Sequence, residues 1–109
     1  MPRKPMVILT EAMFYVLMAF QRGEMCGTDI ADFVDHLTDR RVQIGPATLY
    51  TILGKFEKEK YIKETSVEGR KRTYIITDKG REAYRAELMR LHQCIADSEK
   101  ADPVQEEQL

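Results

Sequence analysis

The sequence predicts a mainly α-helical domain that carries one small β-hairpin (an α+β fold), and three observations support this. Apolar residues repeat at helical spacing in three successive segments between residues 10 and 58. Between residues 61 and 77 they alternate instead, as they do in paired strands. Helical spacing returns from residue 78 onward. A chain of 109 residues is long enough for one such domain with a single core.

The composition is that of a soluble globular protein, with 43% hydrophobic and 32% charged residues. No run approaches the roughly 20 apolar residues that span a bilayer, and residues 6–9 are too short for the core of a signal peptide. The two cysteines, Cys26 and Cys94, are far apart, match no zinc-binding spacing and are read as ordinary helix residues. We therefore expect a cytoplasmic protein with reduced cysteines, no metal, no cofactor and no membrane partner.

Charge is distributed unevenly along the chain, although the formal net charge is only −1. Residues 40–81 contain 11 Lys and Arg against 5 acidic residues, whereas residues 82–109 contain 3 basic and 7 acidic residues. A basic middle segment suits a polyanion, and an acidic C-terminal segment does not. Charge alone leaves two readings equally open: a polyanion-binding surface and an ordinary solvated surface.

The first predicted helix follows Thr10, whose side chain can cap it, and runs to about Gln21, before Gly23. Its core-facing residues are Met13, Val16, Leu17 and Phe20. A second helix opens at residues 27–28, keeps its acidic residues mostly on the solvent side, and carries Ile30, Phe33, Val34 and Leu37. Residues 42–44 are predicted as a very short strand.

The third helix is predicted to begin at residues 45–46, because proline is well tolerated in a first helical turn. Its apolar stripe consists of Leu49, Ile52, Leu53 and Phe56. The opposite stripe consists of Ala47, Thr51, Lys55 and Lys58, with Thr48 at its border. Hydroxyls can reach base edges or phosphates and lysines neutralise phosphates, although an ordinary wet helix face explains the stripe as well. Tyr50 projects sideways, where it can contact a phosphate or pack against the second helix.

Two strands, residues 61–65 and 70–77, are predicted to form a hairpin around residues 66–69. Alternation places Tyr74 and Ile76 on the core side of the second strand. Three consecutive cations follow a glycine that permits a tight turn: Arg70, Lys71 and Arg72. These like charges repel one another, and a phosphate backbone would offset the repulsion. The alternative is a merely soluble loop.

Thr77 caps a fourth helix, predicted over residues 78–99, with Asp78 near the positive end of the helix dipole. Its apolar seam has the 4, 3, 4 spacing of a coiled coil: Tyr84, Leu88, Leu91 and Ile95. A partner helix from a second chain would bury this seam, and we favour this; alternatively the helix folds back on its own first helix. Residues 100–109 have a proline, several acids and no large apolar cluster, and are predicted to be disordered.

Three helices, a two-stranded hairpin and a long final helix, in this order, are typical of a winged helix-turn-helix protein. In this class the third helix enters the DNA major groove, and the wing contacts the backbone or the minor groove. We therefore divide the chain into a DNA-binding domain (1–77), a dimerisation helix (78–99) and a disordered tail (100–109). The predicted DNA contacts are Thr48, Tyr50, Thr51, Lys55, Lys58, Arg70, Lys71 and Arg72, and the predicted dimerisation residues are Tyr84, Leu88, Leu91 and Ile95.

Two motifs resemble the PadR family of bacterial winged-helix transcriptional regulators, over about residues 8–98. The segment "GPATLYTILGKFEKEKYI" is similar to the family's "GTLY…L.rLE..GLI" element, through Thr48, Leu49, Tyr50, Leu53, Glu57 and Ile62. The segment "EGRKRTYIITDKGREAY" is similar to its "GR..kyY.lT..G" element, through Gly69, Arg70, Tyr74, Ile76, Thr77 and Gly80. The two motifs in this order and at this spacing are fairly specific.

The resemblance implies a homodimer that represses transcription at a palindromic operator in double-stranded DNA, in some cases released by a small, often aromatic, ligand. An adaptable pocket for a small apolar or aromatic effector could be lined by Met13, Phe14, Met18 and Met89, although methionines at helical spacing are also ordinary core. The sequence departs from the family at three positions. Ala47 and Lys60 stand where glycine is usual, and Thr28 stands where an aromatic residue is frequent.

An enzyme is not expected. His36 and His92 have no evident arrangement of carboxylates or nucleophiles around them, and the sequence has no glycine-rich phosphate loop and no metal-ligand set. The remaining alternative is a protein-interaction module that kept the winged fold and lost DNA binding. The overall net charge and the acidic C-terminal segment favour that alternative.

Overall fold

The structure, a computed structural model, describes residues 8–102. These residues form α1 (Glu11–Phe20), β1 (Met25–Cys26), α2 (Gly27–Leu37), α3 (Pro46–Lys58), β2 (Ile62–Glu68), β3 (Lys71–Ile76) and α4 (Asp78–Ala101). The strands make one antiparallel sheet in the order β1-β3-β2. The predicted α+β architecture, with three helices, a wing and a long last helix, is confirmed. None of the helices described combines the length and the apolar composition that crossing a bilayer requires.

α1 begins at the predicted cap. The Met13 N–H donates to the Thr10 hydroxyl oxygen at 3.1 Å, and the Thr10 N–H donates to the Met13 thioether at 3.5 Å. Two backbone donors that a helix start leaves without partners are thereby satisfied. Met13 is also only 5% exposed, so the same side chain belongs to the cap and to the core.

The core lies between the first three helices and the sheet. Its most enclosed large side chains are Phe20, Phe56, Leu17, Ile30, Val16 and Val34. The predicted apolar stripe of α3 is buried, and Tyr74 and Ile76 of β3 face the same core. One predicted core position differs, because Leu37 lies at the last residue of α2 and is 50% exposed.

The short strand predicted at residues 42–44 is wrong, and a different segment forms the third strand of the sheet. Residues 42–44 are not in a strand, and the Val42 N–H binds the Thr38 hydroxyl at 3.0 Å instead of a strand partner. Met25 and Cys26 pair with Tyr74 and Thr73 of β3. Two residues are too few to show an alternating pattern, so this strand has no sequence signal. Cys26 also precedes α2 as its N-cap, whereas the sequence placed it within a helix.

The first strand of the hairpin runs further, and the turn is tighter, than the sequence predicts. Residues 66–68 pair with residues 71–73, and only Gly69 and Arg70 lie between the strands. Gly69 has a φ of 62°, a left-handed conformation that glycine adopts without a steric cost. A two-residue turn with glycine first suits the twist of paired strands. A register shift between Glu64 and Ser66 bends the wing part-way along.

Thr77 joins the wing to α4. Its hydroxyl accepts from the Gly80 N–H at 3.1 Å and donates to the Lys60 carbonyl at 2.6 Å. The Thr77 N–H also donates to the Tyr61 carbonyl at 2.9 Å. The predicted cap is therefore confirmed, and it also fastens α4 to the chain entering the wing. α4 ends at Ala101, beyond the predicted boundary at 99, and the tail prediction for residues 103–109 lies outside the described residues.

The N-terminal half of α4 packs against α1 of the same chain. The ring of Tyr84 stacks on Phe14 of α1, with 5.2 Å between ring centroids and 13° between ring planes. The helix has 24 residues, which corresponds to about 36 Å at ~1.5 Å per residue. The first part of the predicted seam is thus anchored on α1 of the same chain.

Candidate nucleic-acid interface

The exposed face of α3 carries the predicted polar stripe. Gly45 is the N-cap and Pro46 the first residue of the helix, and burial of the apolar stripe turns the opposite face to solvent. Every predicted contact residue of this helix is exposed: Thr48, Tyr50, Thr51, Lys55 and Lys58. Tyr50 is 71% exposed, so most of its ring is free of α2. The structure therefore favours the reading of Tyr50 as a surface contact over the packing alternative.

The hydroxyl of Thr51 is already engaged within the helix. It donates to the Ala47 carbonyl, one turn earlier, at 3.0 Å. A threonine hydroxyl has one hydrogen to donate and two lone pairs that accept. Thr51 therefore presents its methyl group and acceptor lone pairs outward, while its hydrogen is held by the backbone. Sequence spacing places Thr51 on this face but does not reveal which half of its hydrogen-bonding capacity is available.

The three cations of the wing differ in how far they are compensated. Arg72 lies 3.5 Å from the Glu64 carboxylate on the neighbouring strand, and both side chains are partly exposed. An exposed pair of this kind contributes little to stability, but it lowers the positive charge that Arg72 offers to a ligand. Arg70 and Lys71 are exposed and make no ion pair within residues 8–102. The wing tip therefore has two cations without an ion pair rather than three, although Lys71 lies opposite Glu68 in the strand register.

One cleft brings the start of α3 and the wing tip together. It has a volume of about 760 Å³ and lies between the N-terminal half of α3, the beginning of α2 and the turn of the hairpin. Four of the predicted DNA contacts line it: Tyr50, Arg70, Lys71 and Arg72. The remaining contacts on α3 continue along the exposed helix face outside the cleft. Thr28, the departure from the family pattern in α2, is exposed and also lines the cleft.

Tyr74 forms part of the cleft wall and is 4% exposed. Burial raises the pKa of its hydroxyl above the ordinary value, and the Glu57 carboxylate raises it further, while Arg72 opposes both effects. Tyr74 is therefore a neutral hydroxyl near neutral pH. In the sequence it is recognisable as a core residue of β3 and as part of the second motif, but not as part of a cleft wall.

The turn between α2 and α3 is held in place by contacts with α1. Asp39 and Arg40 have φ values of 52° and 65°, both left-handed. Arg41 donates to the Tyr15 hydroxyl at 2.9 Å and lies 3.5 Å from the Glu11 carboxylate, which ties the turn to α1. The Tyr15 hydroxyl and, to a lesser degree, Glu11 raise the pKa of Arg41. Arg41 therefore offers less positive charge to a polyanion than the sequence indicates, because its partners are on α1.

Lys60 also has a left-handed backbone, with a φ of 67°. A side chain in this conformation brings Cβ close to the carbonyl oxygen, at a cost of roughly 1–2 kcal/mol. The family pattern usually has glycine at this position. The geometry therefore gives the physical reason for that glycine, and Lys60 carries the strain.

The apolar seam of α4 divides into two halves. Tyr84 is stacked on α1, Leu88 and Leu91 are half-buried, and Ile95 is 56% exposed. The seam thus folds back on α1 at its start and faces outward toward its end. The side chains predicted to line an effector pocket are split between core and surface: Met13 and Phe14 are buried, Met18 is half-buried and Met89 is 71% exposed. Within residues 8–102 no group of three His, Cys, Asp or Glu side chains could hold a metal ion.

The helices α1 to α3 carry an exposed helix face and a basic wing, and both border one cleft. These features define a winged-helix DNA-binding protein. The model of the transcriptional regulator PadR-like family matches residues 16–86, which is more than half of the chain. The chain belongs to this family. It is by homology a DNA-binding transcriptional regulator, and not an enzyme.

Solved structures agree with this assignment. A transcriptional regulator from Clostridium thermocellum, Cth-833, is 27% identical, with a TM-score of 0.73 over 82% of this chain and 87% of that chain. H. salinarum RosR shares the fold at 17% identity, with a TM-score of 0.65 over 85% and 96% of the two chains. Bacillus subtilis PadR, solved in complex with operator DNA, is 22% identical, with a TM-score of 0.62 over 70% of this chain and 45% of that chain. No curated protein sequence matches significantly.

Proposed function

We propose that this regulator binds a palindromic operator as a homodimer and represses transcription there. In this proposal α3 enters the major groove and the wing tip contacts the adjacent backbone. The observation that carries it is the shared cleft, which is lined by Tyr50 of α3 and by Arg70 and Lys71 of the wing, two cations that make no ion pair within residues 8–102. A single duplex could contact both elements without either moving.

The contacts fall into two groups by their chemistry. Lys55, Lys58, Arg70 and Lys71 are exposed cations suited to phosphates, which fix position and carry no sequence information. Thr51 is suited to base edges in the major groove. Because its hydrogen is held by the Ala47 carbonyl, its oxygen can only accept, so it favours the amino groups of cytosine or adenine.

The proposal is tested by selecting bound DNA from a random pool and then measuring affinity over a range of salt concentrations. Lys55→Ala or Arg70→Ala should each weaken binding on every sequence and reduce the salt slope by about 1. Lys100→Ala, in the last turn of α4, removes the same charge and should change neither quantity. Unchanged DNA binding in both Lys55→Ala and Arg70→Ala would contradict the proposed interface. If the native chain bound no DNA even at low salt, the protein-interaction module would be favoured instead.

Thr51 is tested by its effect on sequence preference. Thr51→Val keeps the branched shape and removes the oxygen, and it should reduce discrimination at one base position by about 1–3 kcal/mol. Affinity for non-specific DNA should stay the same, because no phosphate contact is removed. An equal loss on specific and non-specific DNA would assign Thr51 to the backbone instead.

We infer that the dimer forms through the outward half of the α4 seam. Leu88 and Leu91 are half-buried in the single chain and Ile95 is 56% exposed, so a second α4 would cover apolar surface left by the first. Tyr84 would contribute from its place against Phe14. This supports a division into a head (residues 1–77) and a dimerisation helix from residue 78, although the helix runs to Ala101.

The dimer is tested with a charge placed on the seam. Ile95→Asp should convert the dimer to a monomer in sedimentation experiments at micromolar concentration, because it would bury an unpaired carboxylate. Ala86→Asp places the same charge at an exposed position on the other side of the helix and should leave the dimer intact. A monomeric native chain would refute the palindromic operator together with the dimer.

We further propose that the protein works in the cytoplasm, where its operator is accessible. We also propose that repression is relieved by a small apolar or aromatic effector. The effector is supported by an open cleft that four of the proposed DNA contacts line. A reporter gene placed behind the selected operator would distinguish repression from activation. Higher expression on deletion of the regulator is the expected result.

A further inference from the structure

We propose that the ring stack between Phe14 and Tyr84 fixes the angle at which α4 leaves the head, and thereby the spacing of the two half-sites that the dimer accepts. The inference rests on the proposed function and deepens it, since it names what sets the distance between the two copies of α3. Phe14 and Tyr84 are positioning residues, because neither is among the proposed DNA contacts.

α4 is held at two places near its start. At its base, Gly80 lies so close to the Tyr61 carbonyl and to Ile76 that no side chain fits there. One turn further on, the ring of Tyr84 stacks on Phe14, with 5.2 Å between centroids and 13° between planes. Two points along a helix define its direction. Without the second contact, the helix could pivot about the first.

Phe14 is a well-held platform for this contact. Its side chain is buried, and the ring of Tyr15 meets it edge-on, with 6.1 Å between centroids and 68° between planes. On the same helix, Val16 and Leu17 are fully enclosed in the core. Stacked and edge-on ring pairs at such distances are favourable beyond the area that they bury. The position of the core is therefore passed to α4 through one ring.

A small change of angle at Tyr84 becomes a large displacement at the outward end of the seam. Beyond Tyr84 the helix is covered less, since Leu88 and Leu91 are half-buried and Ile95 is 56% exposed. Ile95 lies 11 residues after Tyr84, which corresponds to about 16 Å at ~1.5 Å per residue. A rotation of roughly 10° about Tyr84 would move Ile95 by about 3 Å, close to the ~3.4 Å between successive base pairs. A dimer that selects one spacing therefore needs this angle to be fixed.

The first experiment measures the affinity of the full chain for a series of palindromic operators. Their half-sites are separated by the selected spacing, or by one or two base pairs more or fewer. The native chain should prefer one spacing by at least about ten-fold, because each added base pair also rotates one half-site about the duplex axis. Phe14→Leu should reduce this preference by about three-fold or more, because it removes the ring stack. Its affinity for a single half-site should stay the same, because α3 and the wing are unchanged.

Phe33→Leu is the matched control. Phe33 is a half-buried residue of α2 with the Arg22 guanidinium 5.5 Å from its ring centroid, so the same substitution removes a ring outside the contact between α1 and α4. It should keep the native spacing preference, whatever its effect on stability. An equal loss of preference in both variants would assign the effect to a general loosening of the head and overturn the proposal.

A double variant tests whether the two rings act through one contact. Phe14→Leu combined with Tyr84→Leu should reduce the spacing preference no further than Phe14→Leu alone, since both substitutions remove the same stack. Losses that add would show that the two rings act independently, and would contradict the proposal.

A distance measurement tests the angle without DNA. Spin labels are attached at Gln93→Cys on α4 and at Asp32→Cys on α2, both exposed positions, in a chain that carries Cys94→Ser. Cys26 is buried and is not labelled, and an excess of unlabelled chain suppresses distances between protomers. The distance distribution should widen by about 3 Å in Phe14→Leu. An unchanged distribution would overturn the proposal.

The outcomes separate this proposal from the proposed function. If the native chain binds no operator, or binds every spacing equally, the palindromic dimer fails, while the spin-label distances still decide whether the ring stack fixes the angle of α4. If the native chain selects one spacing and Phe14→Leu selects it equally well, the role of the ring stack is refuted and the DNA assignment stands.

Discussion

Gly80 provides the sharpest test of how the wing is joined to the last helix. It lies at the third residue of α4 and is buried. A Cβ built at this position would lie 2.3 Å from the Tyr61 carbonyl oxygen and 2.8 Å from Cγ1 of Ile76. Ordinary contact begins at 3.4 Å, so the first distance is short by roughly 1 Å. The φ of Gly80 is not left-handed, so its backbone conformation does not require glycine. Glycine is required here by the close packing of the neighbouring backbone.

The cost of Gly80→Ala follows from what would have to move. The Tyr61 carbonyl is held by the Thr77 N–H at 2.9 Å, and Thr77 also caps α4 through the Gly80 N–H. Overpacking of a well-packed site typically costs about 1–3 kcal/mol, and a backbone neighbour that cannot rotate away places this case at the upper end. The better helix propensity of alanine returns at most about 1 kcal/mol. We expect a net loss of about 2 kcal/mol or more in the free energy of unfolding.

Gly54→Ala is the matched control. Gly54 lies within α3 and is exposed, and no side chain or other segment comes within 4 Å of the position that a Cβ would take there. The same chemical change should therefore raise the free energy of unfolding by about 0.5–1 kcal/mol. Urea unfolding followed by circular dichroism, at equal protein concentration because dimerisation contributes to stability, measures both. Equal stability of the two variants would refute the packing argument.

Three further results are expected. Lys60→Gly should raise the free energy of unfolding by about 0.5–1 kcal/mol, because it relieves the strain of the left-handed backbone. Lys58→Gly, within α3, should lower the free energy of unfolding by a similar amount. The midpoints of urea unfolding measure both changes. Arg72→Ala should weaken DNA binding less than Arg70→Ala in the same salt titration, since Arg72 is already paired. Burial raises the pKa of Tyr74 in the folded state, so the contribution of this hydroxyl to stability is present below about pH 10 and is lost as the pH rises further. The free energy of unfolding should therefore fall less for Tyr74→Phe than for the native chain between neutral pH and about pH 11.

The sequence was sufficient for the features that depend on local spacing. The apolar stripe of α3 predicted which residues enter the core, and the exposed stripe followed from the same period. Thr10 and Thr77 were recognisable as caps because a hydroxyl before an apolar run satisfies the first free N–H groups. Alternation over residues 61–77 predicted the wing, and the family that the motifs resemble is confirmed by the family model over residues 16–86.

Other features had no local signal. The strand at Met25–Cys26 is too short to show a period and exists only because β3 offers it partners. The hairpin turn lies at residues 69–70 and not at 66–69, because Gly69 allows a two-residue turn and the first strand therefore continues to Glu68. Arg41 and Arg72 read as free cations, yet each lies near a carboxylate distant in sequence or on a neighbouring strand.

The sequence by itself determined the helices, the wing, the core-facing stripes and the family, because each depends on periodicity or on residues near in the chain. Only the tertiary structure decided which cations form ion pairs, why residue 80 must be glycine, and that α2, α3 and the wing enclose a cleft. These properties depend on distances between segments far apart in sequence. Such distances are set by how the helices and the sheet pack together, and no local pattern encodes them.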